Sequence, residues 1–591
     1  MDATPRRAGA FDVTAAIGRS RALAIAATAV PLVLAWLAAI LLVDPRAEVP
    51  LIDDWTYALS VEDLLAGRGL VVSSWSSTFP AVQIWWGALV AALDGGFSLT
   101  ALRASTLVLA LAGTCGLAGL LRELGCDRRR ALLGALVWLV YPVAFVLSFT
   151  FMTDVPFVVV AILSLWAIVR GLRTVRLWPI ALGLALAVVA FLIRPVAIAI
   201  PAALTMTIVI DRALPAPGER ARGGRYRRVI LALALATLLT MTVASLIAMH
   251  IWPSAGEGGL AYRAVRIRYL LSVSPIVYAE AGLSLLAHVG LAASPALLAT
   301  APSLRRWPWR TALTVLLAAL AVSIVAPSAV AALKPRATWS TQEIGAARPL
   351  LLGWSAPTRL RAVIGLVATV AGLIAGACVL KRIAAALRKG ALRNPAWTCL
   401  ASFGACSTGL IFALWFFYDR YYLPLVPVVL AFILAPTESD PSDRAGRAAD
   451  GIAAPGSAFS TGDQRLLAPR KLRTAAVVLS LVGLALLDVT GTRDMLSFAR
   501  TVSGAVDRLH AKGVPYHRID AGYPENGWRL YAHPQNLPPG ATLADVPHVT
   551  SAAPASFAVA ESPQAGYQLL ESESVPTWWA QGDRLYVLSE E

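Results

Sequence analysis

Two adjacent carboxylates, Asp53 and Asp54, follow the first long apolar run of this 591-residue chain, with Tyr57 one helical turn further on. A third acid, Asp154, precedes Pro156 in a short turn between two apolar runs. Arg194-Pro195 interrupts another apolar stretch, and Asp419-Arg420-Tyr421-Tyr422 separates two more. Charges at a bilayer are costly and are kept there for pairing or for chemistry. A carboxylate whose pKa is raised by partial burial takes a proton from a hydroxyl. A guanidinium binds phosphate through its planar fork and stays charged. These residue types suit transfer of a group from a phosphate to a hydroxyl. Each also has a structural alternative. Asp53, Asp54 or Asp154 can cap a helix, Tyr421 and Tyr422 can belong to an interfacial aromatic belt, and Arg194 can serve only to pair with a carboxylate.

What positions these residues is a membrane-embedded chain. It is 57% hydrophobic and 15% charged, against about 25% charged in soluble domains. The net charge of +16 collects in arginine clusters between apolar runs, at Arg128 to Arg130, Arg170 to Arg176, Arg220 to Arg228, Arg305 to Arg310 and Lys381 to Lys389. That pattern marks cytoplasmic loops rather than nucleic-acid binding. The five cysteines lie in or beside apolar runs without a CxxC pair, which argues against disulfides and zinc. Arg6, Arg7, Arg19 and Arg21 precede the first apolar run, which has no small-residue cleavage site, so it is expected to be retained as an anchor.

The first span is expected over Leu23 to Val43. Residues 44–97 form a long acidic external loop with two helices lying on the membrane, the second carrying Trp85 and Trp86. Spans follow over Leu99 to Leu121, Leu132 to Phe149 and Val155 to Arg170, which puts Asp154 on the same side as Asp53. Arg176 and Arg212 both belong inside, so the chain between them is read as two short spans, Leu177 to Ile193 and Val196 to Ile210, turning at Arg194 in a protein-lined cavity. Further spans are expected over Val229 to Ile251, Leu283 to Ala301, Ala312 to Val330, Val363 to Leu380, Trp397 to Phe417, Leu423 to Leu434 and Ala475 to Leu487. An external segment carries Arg263, Arg266 and Arg268, a basic outer loop runs from Lys334 to Arg361, and residues 436–473 form a flexible cytoplasmic loop. The expectation is a polytopic α-helical membrane protein of about thirteen spans, N-terminus in and C-terminus out. Its transmembrane domain takes residues 1–490, and residues 491–591 form a small extracytoplasmic α/β domain acting as a lid or on the acceptor side. In that domain Phe498, Val502, Ala505, Val506 and Leu509 have helical spacing up to Gly513. Strands are expected at Tyr516 to Ala521, Ser556 to Val559, Tyr567 to Leu570 and Leu585 to Leu588.

In this order and on one side, the motifs resemble a family. Asp53-Asp54-Trp55-Thr56-Tyr57 is similar to the first-loop element of the GT-C superfamily of membrane glycosyltransferases, especially its protein O-mannosyltransferase and aminoarabinose-transferase branch. Thr153-Asp154-Val155-Pro156 resembles the second acidic motif of that branch, and Tyr418 to Pro427 its Arg-Tyr segment with a following proline. Asp54 departs from the Glu found in many members, which leaves open which of the two acids is catalytic. The resemblance implies a thirteen-span layout, a sugar donor on a polyprenyl phosphate and transfer on the outer face of the membrane, while the alanine- and arginine-rich composition points to a bacterial plasma membrane.

On this reading Arg194 and Arg420 neutralise the departing lipid phosphate, with Tyr57 and Tyr421 as hydroxyl donors and Arg263, Arg266 and Arg268 as a further cationic group. Asp53 is the first candidate for the base. Asp154 shares or orients the proton, or joins Asp53 in holding a divalent cation, Mg2+ or Mn2+, for which carboxylate oxygens are suitable ligands. Attack by an activated acceptor hydroxyl, on a protein, lipid or glycan, inverts the anomeric carbon. The competing class is a transporter or flippase of a lipid-linked or small polar solute using the same charges as a gated site. Such proteins usually carry internal repeats and a midplane site, neither of which is evident here.

Overall fold

The computed structural model describes residues 29–73, 76, 78–213, 224–251, 275–300, 358–413, 418–435, 467–542, 545, 555–578 and 584–591. The expected external segment at Arg263 to Tyr269, the span at Ala312 to Val330, most of the loop from Lys334 to Arg361 and most of the 436–473 loop lie outside the described residues.

Among the described residues the chain is mainly helical. After α1 (Ala29–Val43), the loop expected over 44–97 holds two helices, α2 (Asp54–Leu65) and α3 (Ala81–Asp94). On α3 the residues Trp85, Leu89 and Leu93 form an exposed stripe one turn apart, while Ile84, Gly87, Ala88 and Ala91 are buried. An apolar stripe of that kind suits a lipid surface. Next come α4 (Leu99–Glu123), α5 (Arg128–Leu139), α6 (Pro142–Ser148), α7 (Asp154–Thr174), α8 (Leu177–Phe191), α9 (Ala199–Ala213) and α10 (Gly224–Ile251). They are followed by α11 (Pro275–Thr300), α12 (Thr358–Arg388), α13 (Pro395–Ala413), α14 (Leu425–Leu434) and α15 (Leu467–Ala511). Among the described residues six helical segments are long and apolar enough to cross a membrane: Leu99–Glu123, Asp154–Thr174, Pro195–Ala213, Gly224–Ile247, Pro395–Ala413 and Lys471–Ala511.

Two features correct the sequence expectation. The span expected over Leu132 to Phe149 is broken into α5 and α6, bent by 64°. Tyr141 is extended before Pro142, whose ring cannot continue the α5 hydrogen-bond ladder. The last span and the helix of the C-terminal region are one unbroken helix, the 45-residue α15. No proline interrupts it after Pro469, and residue 490 falls in its middle. At 1.5 Å per residue it is about 67 Å long, roughly twice the ~30 Å hydrocarbon layer. Its first half presents Leu472, Val478, Leu479, Val482 and Leu486 outward.

The helices around the candidate site pack closely. A Cβ at Gly113 on α4 would lie 2.5 Å from Val159 Cγ2 on α7, and one at Gly183 on α8 would lie 2.9 Å from the Ser164 carbonyl oxygen on α7. Ser164 Oγ donates to the Gly183 carbonyl at 2.6 Å. Without a hydrophobic driving force between helices in lipid, small residues and such hydrogen bonds hold spans together.

The end of α15 carries the C-terminal unit. Phe498, Val502, Ala505, Val506 and Leu509 are buried against Ile519, Val559, Leu585 and Val587. The helix stops before Gly513, whose φ of +93° suits the turn out of a helix. Four strands, β1 (Ile519–Asp520), β2 (Phe557–Ala560), β3 (Tyr567–Ser574) and β4 (Arg584–Glu590), form a sheet in the order β1-β2-β4-β3. Only β1 and β2 are parallel. The expected strand from Tyr516 is mostly a 3-10 turn, Tyr516–Arg518, with only Ile519–Asp520 extended.

Candidate active site

The two adjacent acids point apart, because neighbouring residues entering a helix are turned by about 100°. Asp53 stands at the N-cap position of α2 but makes no capping bond. Its Oδ2 instead accepts from Nη1 and Nη2 of Arg420, each at 3.3 Å. Asp54 faces the interior and is fully buried with Arg103 of α4. Its Oδ2 accepts from Arg103 Nε at 3.1 Å and Nη2 at 2.9 Å, and its Oδ1 accepts from the Leu51 N–H at 2.8 Å. Arg103 also donates from Nη1 to the carbonyl of Ala47, at 2.6 Å, and from Nη2 to that of Val49. This pair holds the chain before α2 against α4.

Asp154 is the first residue of α7, 1% exposed, and its partner is Arg194. Arg194 lies between α8 and the 3-10 turn Pro195–Ile198, where the proline ends the α-helical pattern. Its Nη2 donates to Asp154 Oδ2 at 2.8 Å and its Nε to Thr153 Oγ1 at 2.7 Å. Asp154 Oδ1 is buried without a hydrogen-bond partner among the described residues.

Arg420 sits in the 3-10 turn Asp419–Tyr422, between α13 and α14. Its guanidinium lies 4.8 Å from the Tyr418 ring centre and 5.9 Å from that of Tyr421. Arg194 lies at 5.9 Å from the same Tyr421 ring, so this ring borders both cations, a favourable placement for a π face. Burial would lower the Arg420 pKa, but the nearby carboxylates of Asp154 and Asp53 hold it well above its ordinary range. Tyr57 is buried on α2, and burial raises its hydroxyl pKa while Arg194 pulls the other way. Tyr422 is buried, 5.8 Å from the His288 ring, rather than in an interfacial belt.

Asp53, Asp154, Arg194, Arg420, Tyr57 and Tyr421 are therefore gathered in one place, and Asp54 is turned away from it. The outer cluster at Arg263, Arg266 and Arg268 lies outside the described residues.

Sequence reasoning missed three contributors. Arg103 had a visible signal, a lone arginine early in an apolar span. Thr153 had only its place beside Asp154. Tyr523 had none: it begins the short helix Tyr523–Asn526 in the C-terminal unit, where burial first and then the nearby Asp53 carboxylate push its hydroxyl pKa up. Trp55, next to both acids, packs its ring 5.9 Å from Tyr523 and 5.4 Å from Tyr531. Trp528 stacks on Phe97 at 6.2 Å.

The proposed metal ligands, Asp53 and Asp154, each already face a guanidinium. Among the described residues no group of three His, Cys, Asp or Glu is arranged to hold a metal ion. A divalent cation would have to join two arginines, so this donor set does not fit a dedicated divalent site.

No curated protein matches the chain. Among solved structures the chain is similar to ArnT from Cupriavidus metallidurans bound to undecaprenyl phosphate, at 15% identity and a TM-score of 0.44, over 95% of this chain and 97% of that one. It is also similar to the archaeal oligosaccharyltransferase AglB from Archaeoglobus fulgidus in complex with an inhibitory peptide and a dolichol-phosphate. There the identity is 14% and the TM-score 0.41, over 79% of this chain and 55% of that one. The chain thus spans about half the length of that oligosaccharyltransferase. Residues 79–247, a segment that runs from α3 into α10 and includes Asp154 and Arg194, match the family model described as dolichyl-phosphate-mannose-protein mannosyltransferase.

Proposed function

We propose that the protein is an integral membrane glycosyltransferase that moves a sugar from a polyprenyl-phosphate donor to an acceptor hydroxyl at the outer face of a plasma membrane. The observation that carries this reading is the meeting of Asp53, Asp154, Arg194 and Arg420, from four separate parts of the chain, beside three tyrosines. The match of residues 79–247 to a mannosyltransferase family supports the same reaction class. In this reading Asp53 is the general base, Asp154 orients Arg194, and the two arginines take the charge of the departing phosphate, with Tyr57 and Tyr421 as neighbouring donors. Asp54 positions α2. The acceptor oxygen attacks the anomeric carbon as its bond to the phosphate oxygen breaks, which inverts that centre. About thirteen spans with the N-terminus inside and the 491–591 region outside go with this assignment.

The test is transfer from a polyprenyl-phosphate sugar by membranes carrying the wild type or Asp53→Asn at equal protein levels. Loss of a general base lowers turnover by about 10²- to 10⁴-fold. Wild-type turnover in the variant would remove Asp53 from the mechanism.

A further inference from the structure

We infer that Gln83 of α3 is a positioning residue for the Asp154–Arg194 pair, acting through the backbone of the turn that leads into Asp154. The placement stands on geometry, and its kinetic consequence rests on the transferase reading above.

Two consecutive residues in the first turn of α3 reach both halves of the pair. The Val82 N–H donates to the carbonyl of Leu192, two residues before Arg194, at 3.3 Å. Gln83 Nε2 donates to the carbonyl of Phe151, three residues before Asp154, at 2.8 Å. The Phe151 N–H points to the other side and meets Asp54 Oδ2 at 3.5 Å. The Phe151 ring is held too, since a Cβ at Gly87, one turn after Gln83, would lie 2.8 Å from its Cζ. Thr153 and Asp154, which receive the two bonds of the Arg194 fork, follow this clamped residue in the same turn. One helix therefore sets where the acid and the guanidinium stand relative to each other.

Packing alone does not account for a glutamine here. Gln83 is 1% exposed, and its Oε1 is buried without a hydrogen-bond partner among the described residues. An unpaired buried acceptor is destabilising, so an apolar side chain of the same length would suit the surroundings of Oε1 better. What such a side chain lacks is the N–H that fixes the Phe151 carbonyl, and with it the position from which Thr153 and Asp154 face Arg194.

The experiment uses Gln83→Met in the full chain, which keeps the length and removes the donor, with Thr114→Val as control. Thr114 is as buried, but its Oγ1 donates within α4, to the Ala110 carbonyl at 2.9 Å. Phenylglyoxal labelling of Arg194, read by peptide mass spectrometry, reports the state of the pair without needing turnover. Gln83→Met is expected to label Arg194 about two- to tenfold faster, the range spanned by one neutral hydrogen bond, and Thr114→Val to label it at the wild-type rate. In the transfer assay Gln83→Met is expected to raise the KM for the polyprenyl-phosphate sugar by a similar factor, whereas a mere loss of folded enzyme would lower kcat alone. That KM effect is expected to disappear when Gln83→Met is added to Arg194→Lys, because the fork it orients is already gone. Should Gln83→Met fail to purify as folded protein, Gln83→Asn takes its place, since its amide falls one methylene short of the Phe151 carbonyl. An unchanged Arg194 labelling rate overturns the inference, and so does a KM effect that persists in full beside Arg194→Lys. Absence of any sugar transfer by the wild type overturns the transferase reading instead, and the labelling still decides the role of Gln83.

Discussion

Substituting the two neighbouring acids by asparagine should give opposite phenotypes. Asp54 and Arg103 are both fully buried. Asp54→Asn leaves the Arg103 charge without its counter-ion, facing only neutral acceptors such as the Ala47 and Val49 carbonyls. Breaking a buried pair from one side costs about 3–5 kcal/mol, a large part of the roughly 5–15 kcal/mol that keeps a domain folded. Asp53 is 28% exposed on its side chain, and its bonds to Arg420 are long at 3.3 Å. Its loss should cost less than breaking the Asp54–Arg103 pair, because Asp154 still faces the Arg420 charge. Purified in detergent, Asp54→Asn should be aggregated or melt well below the wild type, whereas Asp53→Asn should be monodisperse and inactive. The double variant Asp54→Asn/Arg103→Met should regain much of the lost stability, because replacing both members of a buried pair by uncharged groups is often neutral. A stable, active Asp54→Asn protein, or no rescue by Arg103→Met, would refute the assignment of these two acids.

Arg194→Lys should raise the donor KM about tenfold, measured by transfer kinetics, because one ammonium cannot reproduce a fork that reaches Thr153 and Asp154 from different nitrogens. Gly527→Ala should cost about 1–3 kcal/mol through overpacking and loosen the C-terminal unit, seen as faster limited proteolysis, since its Cβ would fall on the buried Trp55 ring. Glu48 accepts from Ser98 Oγ and from the N–H groups of Leu99 and Thr100 at the start of α4. Burial would raise its pKa, but the bonds from Thr100, Ser98 and Leu99 hold it below its ordinary 4.5. The depressed value means that its stabilisation is present above pH 4.5 and is lost as the pH falls through the folded-state value. Glu48→Gln should therefore melt earlier than the wild type at neutral pH, by the ~1 kcal/mol usual for a cap, and the difference should vanish in acid. A constant difference across pH would exclude this cause.

The sequence revealed several of the long apolar helices because span length is a local property. Leu99 to Leu121 and Trp397 to Ala413 were legible as helices, and Arg194-Pro195 as a break, since proline acts on its own turn. The bend at Pro142 was also there to be read, yet the uniform apolarity of Leu132 to Phe149 concealed it. For the site, residue type marked Asp53, Asp154, Arg194 and Arg420, but pairing was not legible. Which acid meets which arginine depends on how α4, α7 and the 419–422 turn pack together. The Asp53–Asp54 ambiguity had the same origin: one residue of helix rotation separates a fully buried ion pair from the open side of the cluster. Tyr523 was beyond reach, because nothing near residue 523 registers a carboxylate at residue 53.

The charge balance of the cluster argues for proton transfer to Asp53. Asp53 and Asp154 against Arg194 and Arg420 sum to zero, which suits a site at the edge of a low-dielectric layer, where a net charge is expensive. A lipid phosphodiester brings one negative charge. When its bond to the sugar breaks, the leaving phosphate gains a second, and at the same moment the acceptor hydroxyl gives up a proton. If Asp53 takes that proton, the cluster loses one negative charge as the phosphate gains one, and the total does not change through the step. If the proton escaped to bulk water, the site would be left with an extra uncompensated charge. Arg420 can follow the charge as it moves, because it faces Asp53 across two long hydrogen bonds and its Nε is buried without a partner among the described residues. Swinging toward a phosphate would free Asp53 as a base, so donor binding and base activation would be the same movement.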